Sequence, residues 1–379
     1  SITLGAGTSA IHIKITDDAG NDGNADTTSY TLDTTAPTIS FSSVDISADT
    51  GSSQSDFITK TAAQTLTGTL SAAMAGDDIL QVSVNAGSSW STVTNDVTGN
   101  PDVSLSTAIT LSGTSAIHLR ITDDAGNVGT ADTTSYTLDE AVPTLTITIA
   151  SNNANTAQAK SGDLVTLTLA PSETLQGNPA CTIDGEAGSA SASGSNHLCT
   201  LTLSGDETAG NLAFSVTGGG TFADVAGNNG VTDTTADTGA VNVDFTAPTV
   251  TVGSIDISAD TGTSDADFET KTAAQTLTAT LSAAAAATDV VYVSVNAGSS
   301  WTDVTSSVTG SPDVSLSVAI TLSGSSTIQL KVTDAAGNDG ATAQQAYVLD
   351  TTAPTISFSS VDISADTGTA ADDFNTKTA

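Results

Sequence analysis

A five-residue linker that returns at a constant interval limits this chain more than any other feature. Asp33-Thr-Thr-Ala-Pro37 recurs as Asp350-Thr-Thr-Ala-Pro354, with degenerate copies Asp139-Glu-Ala-Val-Pro143 and Asp244-Phe-Thr-Ala-Pro248. The four marker Asp residues stand 106, 105 and 106 residues apart, the length of one β-sandwich domain. Residues 35–139 and 246–350 align without a gap at an offset of 211, which pairs Trp90 with Trp301, Pro101 with Pro312 and Gly126 with Gly337. Residues 140–244 keep the length but carry a different sequence. The repeats therefore run 34–139, 140–244 and 245–350, flanked by the C-terminal part of a repeat (1–33) and the N-terminal part of another (351–379). The two partial pieces together lack about 45 central residues of a repeat, so the expectation is a window onto a longer array.

Within a repeat, short alternating segments are punctuated by turns. The pattern predicts strands over 38–46, 64–70, 79–84, 90–93, 103–111, 116–122 and 135–138. Leu66/Gly68/Leu70 and Ile117/Leu119/Ile121 fall on one face at period two. Ala283 to Ala287 reads as helix-prone, and five residues are too few for an independent helix. Seven or eight strands per repeat predict an all-β fold: tandem immunoglobulin-like antiparallel β-sandwich domains in a linear array. Aromatic residues are 4% of the chain, so each core must be built from Val, Ile, Leu and Ala and needs extra fastening.

The charge of −35 matters for how it is made. Only Glu140, Glu173, Glu186, Glu207 and Glu269 are glutamates, which leaves 37 Asp against seven Lys and Arg. Asp suits turns and hard cations, and so few basic residues leave most carboxylates without an ion-pair partner. Nucleic acid is excluded as a partner, because it needs a basic face. Direct membrane insertion is excluded as well, since no run of about 18 apolar residues occurs.

Asp-Ala-Gly-Asn signatures stand at Asp18–Asn21 and Asp124–Asn127 (with Asp123 before it), and in extended form at Asp224–Asn228 and Asp334–Asn338, each just ahead of a last strand. Gly and Asn at positive φ explain them as turns. In an immunoglobulin-type sandwich, however, this last hairpin loop faces the incoming linker. The loop after the first strand, with Asp49 and Asp56 or Asp260 and Asp267, lies at the opposite end, near the next linker. Each junction then gathers Asp from a linker, a first-strand loop and a last-hairpin loop. Calcium takes six to eight oxygen ligands at flexible angles, so Ca2+ at the interdomain junctions is the expected cofactor.

The Thr-Thr-Ala-Pro-Thr linkers, Asp-Ile-Ser-Ala-Asp-Thr-Gly and Thr-Asp-Asp-Ala-Gly-Asn resemble the bacterial immunoglobulin-like extender repeats of giant repeats-in-toxin-type and biofilm-associated surface adhesins. The resemblance implies calcium at the linkers, which stiffens the rod. By position it points to Asp33, Asp139, Asp244 and Asp350, with the loop acids named above. The second repeat departs from the pattern, with Glu140-Ala-Val for Thr-Thr-Ala and no Asp-Thr-Gly loop.

Ser83-Val-Asn85-Ala-Gly87-Ser-Ser89-Trp90 is similar to a sialidase Asp-box, yet a propeller needs several at blade spacing and an Arg cluster. This chain has one Arg, Arg120, so Trp90 reads as a hairpin and core anchor. Cys181 and Cys199 abut alternating strands, and a disulfide across a hairpin is the default in an oxidising compartment. A Cys-Cys-His site with His197 is the rival and lacks a fourth ligand. His12 and His118 share one strand position, which Gln329 takes in the third repeat, so neither suits a catalytic base.

The expected function is therefore not enzymatic. The chain reads as a calcium-stiffened stalk of a large secreted adhesin at the bacterial surface, its partners the neighbouring repeats. The alternative is a segment of an extracellular filament or sheath that also contacts other copies, and a spacer in a polysaccharide-degrading enzyme comes third.

Overall fold

The computed structural model describes residues 1–99, 101–310, 312, 314–370 and 373–378. It divides into two compact units, residues 1–152 with 162–242, and residues 153–161 with 243–379. Both are all-β, as the alternating pattern requires.

In the first unit, residues 41–138 form two sheets. One orders Phe41–Ile46, Ala63–Leu70, Asp102–Thr110 and Val97–Gly99. The other orders Ile58–Thr59, Asp132–Leu138, Thr114–Thr122, Ile79–Ser83 and Ser91–Thr92. Inward residues alternate strictly along Ala63–Leu70, and Leu66, Leu80, Leu105, Ile117, Leu119 and Ile121 fill the space between the sheets. Tyr136 is buried among them and satisfies its hydroxyl by donating to Val84 O at 2.7 Å.

Three expectations need correction. The first strand starts at Phe41 rather than residue 38. Ile58–Thr59 pairs in parallel with Thr137 and Leu138, and two residues are too few to leave a period in the sequence. Trp90 lies outside the core: it is half-buried on the sheet face, with Arg120 Cζ 3.7 Å from its ring centroid, so it anchors the hairpin by a cation–π contact.

The divergent repeat contributes a second sandwich to this unit. Leu145–Ser151, Leu164–Pro171, Asn196–Thr202 and Ser189–Ser193 form one sheet, and Glu186–Ala187, Cys181–Ile183 and Phe214–Val216 another. Cys181 and Cys199 are bonded. They join the two sheets instead of two strands of one hairpin, because Cys199 faces Leu167 and Ala190 within its own sheet. Closing this loop contributes roughly 3 kcal/mol in the chain-entropy picture. Gly188 is obligatory beside the bridge, since a Cβ there would lie 2.3 Å from Cys199 Sγ. Residues 7–13 and 26–32 pair as an exposed antiparallel hairpin.

The second unit repeats the first sandwich strand for strand. Val252–Ile257, Ala274–Leu281, Ser315–Thr321 and Val308–Thr309 make one sheet, and Glu269–Thr270, Ala343–Leu349, Ser325–Thr333, Val290–Ser294 and Thr302–Asp303 the other. Residues 283–287 form no helix, as their number predicts. Ile356, Phe358 and Phe374 beyond this sandwich are exposed.

Candidate metal centre

The Asp-x-Ala-Gly-Asn segments are turns closed by their own side chains. Asp224 Oδ1 accepts the Asn228 backbone N–H at 2.8 Å and Oδ2 accepts Asn228 Nδ2 at 2.8 Å. The same two bonds join Asp123 to Asn127 and Asp334 to Asn338. The turn Asn then reaches the incoming linker: Asn127 Nδ2 donates to Asp33 O, Asn228 Nδ2 to Asp139 O and Asn338 Nδ2 to Asp244 O, at 3.2, 2.8 and 2.8 Å. Hairpin loop and linker therefore meet where the topology puts them. In the first repeat the closing carboxylate belongs to Asp123, and Asp124 is an exposed neighbour. The linker Asp side chains cap their own turns: Asp33, Asp139, Asp244 and Asp350 each accept from the N–H two residues on.

One of these meeting points collects a third acid. Carboxylate oxygens of Asp139, Glu173 and Asp224 all lie within 4.8 Å of one another, the one such group among the described residues. Asp224 is fully buried, and Asp139 and Glu173 are half-buried. Burial, reinforced by the Asp139 and Asp224 charges and a hydrogen bond shared with Asp139, raises the Glu173 carboxyl above its ordinary range. Glu173 escapes a sequence reading because its place shows only in the fold. Ser172 Oγ accepts the N–H of Thr144, as Ser71 Oγ accepts that of Ser40 and Ser282 Oγ that of Thr251. Glu173 thus stands where the other repeats have Ala72 and Ala283.

Asp49, Asp56, Asp260 and Asp267 from the first-strand loops are not part of that group. Asp49 Oδ2 accepts the N–H of Phe57, and Asp260 Oδ2 that of Phe268. Both phenylalanines hold φ near +61° with buried rings, so the carboxylate secures a strained backbone. The other oxygen of each, Asp49 Oδ1 and Asp260 Oδ1, is buried without a hydrogen-bond partner among the described residues. Burial, then the Asp56 and Asp45 charges, push the Asp49 carboxyl upward. Asp56 and Asp267 cap the N–H groups of Ile58 and Glu269. Gln64 positions the loop, its amide bonded to Ala48 N, Ala48 O and Thr61 O.

A family model described as a bacterial Ig-like domain matches residues 35–140 and 246–351, more than half of the chain. No curated protein matches. Among solved structures, an ICAM-5 D1–D4 ectodomain fragment is 11% identical over 91% of this chain and 83% of its own, with a TM-score of 0.29. Surface layer protein SbsC, domains 4–9, is 11% identical over 82% of this chain, at a TM-score of 0.24. The Bacteroides ovatus mixed-linkage glucan utilization locus protein SGBP-B, in complex with a mixed-linkage heptasaccharide, is 11% identical over 77% of this chain, at 0.18. The chain spans 65% of the length of SGBP-B and 48% of the SbsC fragment.

Proposed function

Because the chain belongs to the bacterial Ig-like domain family, we propose that it is a stalk segment of a large secreted surface adhesin, with a mechanical and not a catalytic task. Tandem immunoglobulin-like domains, one of them fastened by a disulfide, make up an extracellular or surface repeat protein. Among the described residues no helix is long and apolar enough to cross a membrane.

In this reading calcium holds one repeat against its predecessor, and the Asp139, Glu173 and Asp224 cluster carries the idea. A fully buried carboxylate beside two more is costly unless a proton or a cation offsets the charge. The ion pairs Lys14–Asp22 and Lys331–Asp339 lie elsewhere. The donor set suits a hard cation: three carboxylates from the linker, the loop after Leu164–Pro171 and the last hairpin turn. Asp139, Glu173 and Asp224 would hold it, and it supplies charge neutralisation at that point. The orphaned oxygens of Asp49 and Asp260 are further places where a cation would relieve a buried charge.

Small-angle scattering of the full chain in calcium and then in excess chelator tests the reading. Chelation should broaden the distance distribution and shorten its mean while circular dichroism stays unchanged. Equal dimensions in both solutions would refute calcium stiffening.

A further inference from the structure

The first-strand loops of the first and second repeats bring donors, not acids, to the repeat that follows. In the first unit Ser52 N–H reaches Val225 O at 3.3 Å, Thr50 Oγ1 reaches Ala226 O at 2.7 Å and Lys60 Nζ reaches Gly227 O at 2.6 Å. Three consecutive carbonyls of the Asp224–Asn228 turn are thus read by one loop. The fit is close on both sides. A Cβ on Gly51 would lie 2.5 Å from Val225 O, and a Cβ on Gly227 would lie 2.5 Å from Thr50 O.

The second unit repeats the arrangement with other residues. Asn153 Nδ2 donates to Ala336 O at 2.8 Å and Lys160 Nζ to Gly337 O. Backbone pairing puts these lysines in one place. Asp139, Asp244 and Asp350 each donate an N–H to Thr59, Ala159 and Thr270, the residues just before Lys60, Lys160 and Lys271. Lys377 joins them, since its N–H meets Thr367 Oγ1 as that of Lys60 meets Thr50 Oγ1. Four of the seven basic residues of a strongly acidic chain therefore occupy one position of the repeat. Ala226 and Ala336 are buried by the contact, whereas Ala19 and Ala125 in the same turn are exposed.

In the third repeat the equivalent positions enclose a recess of about 360 Å³ between Thr261, Gly262, Glu269, Lys271, Val348 and Asp350. We propose that this recess is a docking socket for the Ala-Gly-Asn turn of a following repeat, and that the lysine-to-carbonyl contact joins consecutive repeats without any metal. The ammonium is a resident cation at a junction of like charges, and the three donors set the register. Thr261, Gly262 and Lys271 stand where Thr50, Gly51 and Lys60 seat residues 225–227. The occupant is accordingly a backbone turn that presents its consecutive carbonyls, those of an Ala-Gly pair among them, outward.

Pulsed electron resonance between nitroxide labels at exposed Thr67 and Ser191 tests the first socket in the full chain. All samples are kept in excess chelator, which separates this contact from calcium. The wild-type distribution in chelator is the reference, and Lys60→Met or Gly51→Val should at least double its width while the thermal melt of each sandwich is kept. An unchanged width in either variant overturns the proposal. A chain continued past residue 379 by the sequence of residues 63–139 tests the open socket with labels on either side of Asp350. There Lys271→Met should broaden the distribution at least twofold, and an unchanged width overturns the extension to the third repeat.

Discussion

The upstream ends of the first and second repeats are built on the same bonds, and among their side-chain differences Ala72 against Glu173 bears most on their acid chemistry. At the first, Asn127 ties Asp123 to the linker carbonyl of Asp33, and Asp33 and Ala72 are exposed beside them. At the second, Asn228 ties Asp224 to Asp139 by the same bonds, and Glu173 replaces the alanine. The first is a turn with half-buried Asp123 beside exposed Asp33 and Asp124. The second is a group of three carboxylates around a fully buried one. Among the described residues, one copy of the framework thus gathers three carboxylates and the other does not. The acid count of a junction follows from side chains that the turn motif does not include.

Removing the difference should have the largest effect. Glu173→Ala gives the second end the alanine of the first, and calcium affinity at this junction should fall about 10- to 100-fold, because affinity follows the number of charged ligands. Isothermal titration of the full chain measures it. Affinity within twofold of wild type would show that Glu173 is no ligand. The reciprocal change is Ala72→Glu, which brings a further acid to Asp33 and Asp123. Since Ala72 is exposed, the gain should be smaller, about tenfold. No new binding heat would mean that burial of Asp224, rather than the count of acids, makes the second end different.

The sandwiches were legible because burial alternates with the sequence, as along Ala63–Leu70, where every second residue is inward. The meeting of hairpin turn and linker was legible too, since it follows from sandwich topology and a fixed repeat length. The third acid was not. Glu173 follows Ser172 as Ala72 follows Ser71, but the second repeat shares too little sequence with the first for that register to appear without the strand pairing of Leu145–Ser151 with Leu164–Pro171. The first-strand loop holds its acids to its own backbone. Asp49 and Asp260 serve Phe57 and Phe268 at positive φ, and the loop meets the next repeat through Thr50 and Lys60. Lys60 and Lys271 do share the offset of 211, whereas Lys160 falls 100 residues after Lys60 and so breaks the period.

Acid should separate the two ends by sign, which is the subtlest expected effect. The hydrogen bond from Asn127, ahead of other contributions, holds the Asp123 carboxyl below its ordinary range. The unfolded chain then takes up a proton before the folded one does, so the stability that Asp123 contributes is present above the ordinary carboxylate value and lost as pH falls through the lowered one. Glu173 is the reverse. Its raised carboxyl keeps a proton in the folded chain after the unfolded chain has released it, so its contribution is largest in acid and fades as pH rises through the raised value. Calcium competes with that proton, and binding should release it and weaken as pH falls through the same range. A carbon-13 titration of the side-chain carboxyls in chelator, with Glu173 assigned through Glu173→Gln, reads both groups at once. Glu173 should titrate above an ordinary glutamate and Asp123 below an ordinary aspartate, and calcium should move the Glu173 midpoint downward and leave that of Asp123 in place. Parallel shifts of both midpoints on adding calcium would mean that the two ends bind the ion alike, and the contrast between them would collapse.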